Sequence, residues 1–360
     1  MRVAKIACYR FKNHFETAVP LFGRTAVSGP NGSGKTNFLE AAYFALNGAL
    51  PPGKRATELA SGFEGAFFVR AEIENESGFP YEFRISCDTQ KKSVSFAVQG
   101  ENVSRSAYLE RLPLRAMLFS PIEMNVLYLG PSLRRDFLDE PLSLAFPEFS
   151  KLKKDYAAAL KNRNVLLKKI ADGEAKSADL SVWDPLFASK AAEYFRYRLK
   201  FVDYVLARSS KLGEFLDGKY DVRFRYETKT DRDDPERSVL AYLAKNRDRD
   251  VMLGHTYVGP HLDDFSLSVA VASGEVRTDA YLSRGENKSL LFALKLLSAQ
   301  FLEETGGKPL FLLFDDLFSE LDPHRAEVVL DSVRAKGFVI AGQKIPKEMV
   351  DRFSMGKYEF

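Results

Sequence analysis

The chain has 360 residues, 45% hydrophobic and 28% charged, enough to bury a sizeable core and, by length, to form about two domains. Two cysteines and four histidines exclude a disulfide framework beyond one bridge and leave no Cys/His metal cluster, the usage expected in a reducing cytoplasm. The net charge of +3 is uneven: residues 151–250 hold 23 Lys/Arg against 17 Asp/Glu, the rest 29 against 32.

Apolar runs such as 310–314 are far shorter than the roughly 20 residues a membrane helix needs. Arg2, Lys5, Arg10 and Lys12 stand among polar residues with no apolar stretch behind them. A soluble chain without a secretory leader is therefore expected.

Short runs at 3–7, 17–21 and 26–28 read as strands, and from Phe38 the spacing turns helical, with Leu39, Ala42, Tyr43 and Leu46 on one face. Alternation returns in Val69, Ala71 and Ile73, in Phe83, Ile85 and Cys87, and in Val94, Phe96 and Val98, which predicts antiparallel hairpins. From Lys151 the pattern becomes long helices. Leu152, Tyr156, Ala159, Leu160, Leu167 and Ile170 form one stripe and residues 188–216 carry another, with breaks expected at Asp172-Gly173 and Asp184-Pro185. Trp183 is expected to anchor a core there. Near Tyr257 α/β character resumes: a strand, a long helix, the apolar run 310–314, a further helix and a last strand at 338–341.

Gly29-Pro30-Asn31-Gly32-Ser33-Gly34-Lys35-Thr36 fits the phosphate-loop pattern G-x-x-x-x-G-K-[ST], directly after a strand and opening a helix. Its glycines let backbone N–H groups face phosphates, Lys35 reaches the β and γ phosphates, and Thr36 offers a hydroxyl to Mg²⁺. The apolar strand ending in Asp315-Asp316 supplies the carboxylates such a loop needs: Asp315 on the metal side and Asp316 beside the attacking water. Taken alone, the same two acids read sooner as caps of the next helix, and the phosphate loop is what favours the metal-side reading. Ser283-Arg284-Gly285 opens an amphipathic helix and can present a hydroxyl and free N–H groups to an anion, although serine is also an ordinary N-cap.

Lys151, Lys153, Lys154, Lys161, Arg163, Lys168 and Lys169 stand against the single Asp155, a segment suited either to a polyanion or to a solvated helix face. Arg134 and Arg135 fit either DNA contact or salt bridges with Asp136 or Asp139. His261 with Asp263 and Asp264 lacks a second histidine at ligand spacing, so a structural turn is expected rather than a metal site.

The chain resembles the RecF DNA replication and repair proteins, relatives of the SMC and Rad50 ATPases within the ABC superfamily. The resemblance rests on residues 29–40, Phe119-Ser120-Pro121, residues 130–139, Val258-Gly259-Pro260-His261-Leu262-Asp263-Asp264, the segment from Leu282, and Phe314-Asp315-Asp316-Leu317-Phe318-Ser319-Glu320-Leu321-Asp322. It implies an α/β fold: an ABC-type P-loop ATPase head of residues 1–120 and 252–360 with an inserted helical arm domain, 121–251. It further implies an ATP-dependent homodimer in which Lys35, Thr36 and Asp315 of one subunit face Ser283 and Gly285 of the other. The implied cofactors are ATP and Mg²⁺. The implied partners are double-stranded, gapped or junction DNA, the RecR and RecO proteins and, indirectly, RecA and SSB.

Departures from the family pattern are Leu262 in place of arginine, Glu123 where a glutamine is usual, Gln343 where transporter ATPases carry histidine, and Glu286 beside Ser283-Arg284-Gly285, which resembles the ABC-type signature. A membrane-transporter nucleotide subunit shares the motifs, but its short coupling subdomain does not match the long basic helices. An added nuclease would need an acidic cluster and chain length beyond those seen. An SMC-like tether would need helices longer than the roughly 45 Å of 188–216.

Overall fold

The computed structural model describes residues 1–51, 54, 59, 65–272 and 274–360. It divides into two compact units, one of Met1–Asn125 with Ser283–Phe360 and one of Val126–Leu282. In chain order the strands are β1 (Arg2–Phe11), β2 (His14–Pro20), β3 (Arg24–Ser28), β4 (Ala66–Glu74), β5 (Pro80–Asp88), β6 (Ser93–Val98) and β7 (Glu101–Val103). They continue with β8 (Arg115–Phe119), β9 (Val222–Glu227), β10 (Asp264–Val271), β11 (Gly274–Arg277), β12 (Leu310–Asp315), β13 (Gly337–Gly342) and β14 (Gly356–Glu359).

The first unit contains two sheets. One is antiparallel, in the order β2-β1-β4-β5-β6-β7; the other, in the order β14-β3-β13-β12-β8, is parallel throughout. In β4, Phe67, Val69, Ala71 and Ile73 are buried while Phe68, Arg70 and Glu72 are half-exposed, the alternation of a sheet with one face on a core. Every residue of β12 is buried, as a central parallel strand requires.

Helix Lys35–Asn47 lies between the sheets, against β8, β12 and β13 on one side and β1 and β4 on the other. The one-sided apolar face read from its sequence is therefore incomplete: Phe38 through Asn47 are all buried. Its end is pinned by Asn47, whose amide donates to the Ala116 carbonyl (2.9 Å) and accepts from the Ala116 N–H (3.1 Å). The chain does not finish on the 338–341 strand, because β14 follows it and adds to β3 as an edge.

The second unit packs helices Pro131–Ala145, Pro147–Ala171 and Leu180–Leu206 with shorter helices and a three-stranded antiparallel sheet, β11-β10-β9. The boundary expected at 252 lies instead at 282, because β10 takes its hydrogen-bond partners from β9 and β11 within this unit. The expected break at Asp184-Pro185 is absent: helix Leu180–Leu206 carries Pro185 inside it. Trp183 is half-exposed and anchors no core.

Buried charge here is grouped around two arginines, with Arg163 Nη2 and Asp250 Oδ1 left without hydrogen-bond partners among the described residues. Arg163 donates to Asp184 (2.8 Å), Asp250 (2.9 Å) and Thr256 (2.7 Å). Arg198 donates to Asp139 (2.9 Å) and the Pro260 carbonyl (2.5 Å) and pairs with Asp263 at 3.4 Å. Tyr194 adds a hydrogen bond to Asp139 and Tyr226 one to Asp263. Burial pushes the Asp139 carboxyl up, but Arg198 and Lys153 outweigh it and hold the group below the ordinary range. No helix among the described residues is long and apolar enough to cross a membrane.

Candidate functional site

A parallel sheet puts all its strand carboxyl ends on one edge. The loop leaving β3, the acids ending β12 and the segment after β13 therefore meet, since β13 lies between β3 and β12. Gly32 and Gly34 of the loop have φ of 82° and 104°, which glycine adopts at no steric cost. At Gly34 the side chain is excluded twice over, because an added Cβ would also come within 2.6 Å of the His14 ring. Gly34 is the N-cap of helix Lys35–Asn47, so the first N–H groups of that helix have no partner within it.

Lys35 folds back over the loop, its Nζ donating to the carbonyls of Gly29 (2.9 Å) and Pro30 (2.8 Å). The Ser33 hydroxyl is buried and has no hydrogen-bond partner among the described residues. Thr36 donates to Asp315 Oδ1 at 3.1 Å, so the two residues expected to share a cation are already in contact. Burial pushes the Asp315 carboxyl up to about 6; Thr36 and Lys35 pull against this, while Asp316 and Glu40 reinforce it. The described residues contain no group of three or more His, Cys, Asp or Glu that could hold a metal by itself. A divalent cation at Thr36 and Asp315 thus needs phosphate oxygens and water to complete its shell, as a nucleotide's Mg²⁺ does.

Asp316 separates the two readings of the acid pair. It occupies the N-cap of helix Leu317–Glu320 with φ 51°, yet its side chain makes no capping bond. Its backbone N–H donates to the Ala341 carbonyl (2.8 Å). The carboxylate lies beside Gly342, where an added Cβ would stand 3.6 Å from Oδ1. Gln343, the next residue, is exposed at this edge.

Ser283 caps helix Arg284–Gly306 in a reciprocal box with Glu286. The Ser283 hydroxyl and N–H both donate to Glu286 Oε2 (2.7 and 2.9 Å), and the Glu286 N–H donates back to Ser283 Oγ (3.3 Å). Glu286 is thus a cap of its own helix, and the serine must leave it to donate to an anion. At Gly285 an added Cβ would meet Arg325 Nη1 at 2.9 Å. Lys288 pairs with Glu320 at 2.5 Å, so the signature helix and the Ser319–Asp322 segment touch within one protomer. Glu123 accepts from the buried Lys295 (2.7 Å), a structural partner for the residue at the glutamine position.

Several expected DNA contacts change status. Arg134 is buried; it grips Asp264 bidentately (2.6 and 2.8 Å), and Nη1 donates to the carbonyls of Val126 and Leu129. Its partner is neither Asp136 nor Asp139, and it is not available to DNA. Arg163, counted in the cationic segment, is 0% exposed. Lys153 pairs with Asp139 (3.2 Å) and Lys151 with Asp155 (2.7 Å), while Lys154 is exposed and Arg135 is half-exposed, reaching the Asp263 carbonyl at 3.4 Å.

His261 lies in the fabric of the second unit: its Nδ1 accepts from Tyr156 (2.6 Å) and its Nε2–H donates to the Thr256 carbonyl (3.0 Å). Burial lowers it to about 4. Leu262, where the family has arginine, is 43% exposed. Cys8 and Cys87 are free and buried, and burial pushes both thiols up to about 12, which makes them unreactive.

The sequence reading missed the turn between β1 and β2. Asn13 donates to the Gly32 carbonyl (3.2 Å) and accepts from Asn37 (2.6 Å). The His14 Nε2–H donates to the Gly34 carbonyl (3.0 Å) while Nδ1 accepts from Thr17 (2.9 Å). Burial lowers the His14 pKa, and its bond to the Gly34 carbonyl opposes the shift. Lys12 pairs with Glu40 of the loop's helix. The available signal was polar Lys12-Asn13-His14 at a tight turn just ahead of the loop strand.

The model of the RecF/RecN/SMC N-terminal domain family matches residues 2–352. The DNA replication and repair protein RecF of Streptomyces avermitilis is 30% identical over 352 residues, covering 92% of this chain and 91% of the relative. RecF of Ruminiclostridium cellulolyticum is 29% identical over 343 residues, covering 93% and 90%. In fold, the chain superposes on a structure of the recombination mediator protein RecF with ATP, from the RecFOR pathway, with a TM-score of 0.82 at 24% identity, covering 96% and 93%. A second RecF structure gives 0.83 at 23% identity, covering 99% and 95%. With a phosphate loop and paired acids at one edge of a parallel sheet and a family match across nearly its full length, this chain belongs to the RecF family of DNA replication and repair proteins, with an SMC-like, ABC-type ATPase head.

Proposed function

We propose that the chain is an ATP-driven, DNA-binding switch of recombinational and gap repair, acting in the cytoplasm. The discontinuous unit is its ATPase head and the inserted unit its arm. The observation that carries this reading is the Thr36–Asp315 contact at 3.1 Å beneath a loop of left-handed glycines. The transporter alternative is set aside because the family relationship runs through the inserted unit as well as the head.

In the proposed cycle the loop N–H groups and Lys35 take the phosphates, with Lys35 exchanging the Gly29 and Pro30 carbonyls for phosphate oxygens. Thr36 and Asp315 hold Mg²⁺, which supplies charge neutralisation at the phosphates when bound. Asp316, whose carboxylate no helix cap uses, accepts the proton of the attacking water. Ser283 and Gly285 of a second copy close on the γ-phosphate, so nucleotide binding joins two heads and hydrolysis releases them. DNA is held by the exposed Lys151 and Lys154 and the half-exposed Arg135. The ATPase is weak and stimulated by DNA. With RecO and RecR the switch assists the loading of RecA onto SSB-coated strands, in keeping with the RecFOR pathway of the solved relative.

Sedimentation tests the sandwich. Wild type is expected to dimerise with Mg·ATP, Asp316→Asn to stay dimeric after wild type has turned over, and Ser283→Arg to bind ATP as a monomer. An ATP-dependent Ser283→Arg dimer refutes the arrangement.

A further inference from the structure

Beside the phosphate-loop edge of the parallel sheet, within the first unit, lies a cavity of about 570 Å³. Its charged lining is all of one sign: Lys344 from the segment after β13, Lys347 from the start of the short helix Lys347–Arg352, and Lys357 from β14. Ser28 and Gln343 add polar groups to the wall. All three lysines are exposed, and none makes an ion pair or side-chain hydrogen bond with a described residue. Several other lysines of the same unit are paired with acids, Lys12 with Glu40, Lys288 with Glu320, Lys295 with Glu123 and Lys336 with Glu303, and Lys308 is held by backbone carbonyls. The nearby acids Glu348 and Glu359 are exposed and do not line the cavity.

Three unpaired ammonium groups around one opening repel one another, and an anion that bridges them removes the repulsion. The lining includes no aromatic ring for a base to stack on and no Asn or Arg to read a base edge bidentately; its amide, Gln343, is the neighbour of the Asp316 site. Lysines act as point charges, a donor set that positions phosphates without reading sequence.

We propose that Lys344, Lys347 and Lys357 form a phosphodiester-binding site on the head, a DNA contact separate from the arm cations. It rests on the DNA-binding reading above and adds a location to it. The segment after β13 carries the cavity wall at Lys344, and three residues earlier β13 itself accepts the Asp316 N–H at Ala341. A DNA backbone seated on the lysines is thereby one short segment away from the carboxylate assigned to hydrolysis.

The test uses the full chain and a labelled 30-base-pair duplex, with anisotropy read over a salt series. Three proteins are compared: wild type, the triple variant Lys344→Gln/Lys347→Gln/Lys357→Gln, and the arm variant Lys151→Gln/Lys154→Gln. Each lost phosphate contact lowers the slope of log K against log salt by about 0.9. The head triple is expected to lower it by up to about 3, to bind at least about tenfold more weakly, and to keep wild-type affinity for Mg·ATP. If wild type binds DNA with a steep salt slope and the head triple matches it, the lysine site is wrong while the DNA-binding reading stands. If wild type does not bind the duplex at all, that reading falls and the site with it. If the triple loses affinity for ATP and keeps its DNA slope, the lysines serve the nucleotide and the proposal is overturned.

Discussion

In the unit of residues 126–282, Arg163 and Arg198 are 0% and 1% exposed and each is met by two carboxylates. In the other unit Asp315 is 5% exposed, and its nearest partner is a neutral hydroxyl while another acid stands next to it in the chain. The first arrangement meets each arginine with carboxylates from within the chain, although burial still raises Asp250 and Asp263. In the second, Lys35 acts on Asp315 without pairing with it and does not offset burial, so the carboxyl stays raised. Burial alone therefore does not mark a functional charge; a buried carboxylate at a sheet edge with no directly paired cation among the described residues is the better marker.

The largest effect is expected where a buried arginine network is broken. Arg198→Met leaves Asp139 and Asp263 buried without their shared cation, and losing one partner of a buried pair costs about 3–5 kcal/mol. Urea denaturation should show a loss of that size. A loss below about 1 kcal/mol would mean the network does not hold the unit together.

Neutralising the carboxylate that lacks a paired cation should do the opposite. With its carboxyl raised from 3.8 to about 6, Asp315 works against the nucleotide-free fold at neutral pH, by at most about 3 kcal/mol at 1.36 kcal/mol per pKa unit. Asp315→Asn should raise the melting temperature of the nucleotide-free protein at pH 7 while weakening Mg²⁺-dependent nucleotide binding. A group raised on folding contributes stability below its unfolded pKa and loses it as pH rises through the folded one. The gain from Asp315→Asn should thus shrink to about half at pH 5. In wild type, Mg²⁺-dependent binding should weaken below about pH 6, as protons compete for the same carboxylate. A pH-independent gain would remove the raised carboxyl from the account.

The smallest effect sharpens the comparison from the other side. Tyr156→Phe removes the hydroxyl that satisfies His261 Nδ1, which should cost about 1–2 kcal/mol. Because His261 is lowered from 6.5 to about 4, its contribution is present above pH 6.5 and fades as pH falls towards 4, the reverse of Asp315. Replacing His261 with Gln should therefore flatten the acid side of the stability profile; an unchanged profile would exclude it.

The same contrast explains what could be read without coordinates. The phosphate loop, the buried strand and Asp315-Asp316 are continuous in sequence, so local pattern reveals them. Arg163 and Arg134 look like surface cations because their partners, Asp250 and Asp264, lie 87 and 130 positions away. The strand β10 was assigned to the wrong unit for a similar reason: its neighbour β9 precedes it by two intervening helices. The wedge of Asn13 and His14 beneath the loop escaped because a two-residue turn carries no periodicity.

Titration calorimetry of Mg·ATP into wild type and Lys35→Ala tests the central claim, that the phosphate loop and the raised Asp315 of the first unit are a nucleotide site. Among the described residues Lys35 is bonded only to loop carbonyls, so its removal should abolish measurable binding while leaving the melting temperature of the nucleotide-free protein within a few degrees of wild type. Undiminished ATP affinity in Lys35→Ala would contradict the account.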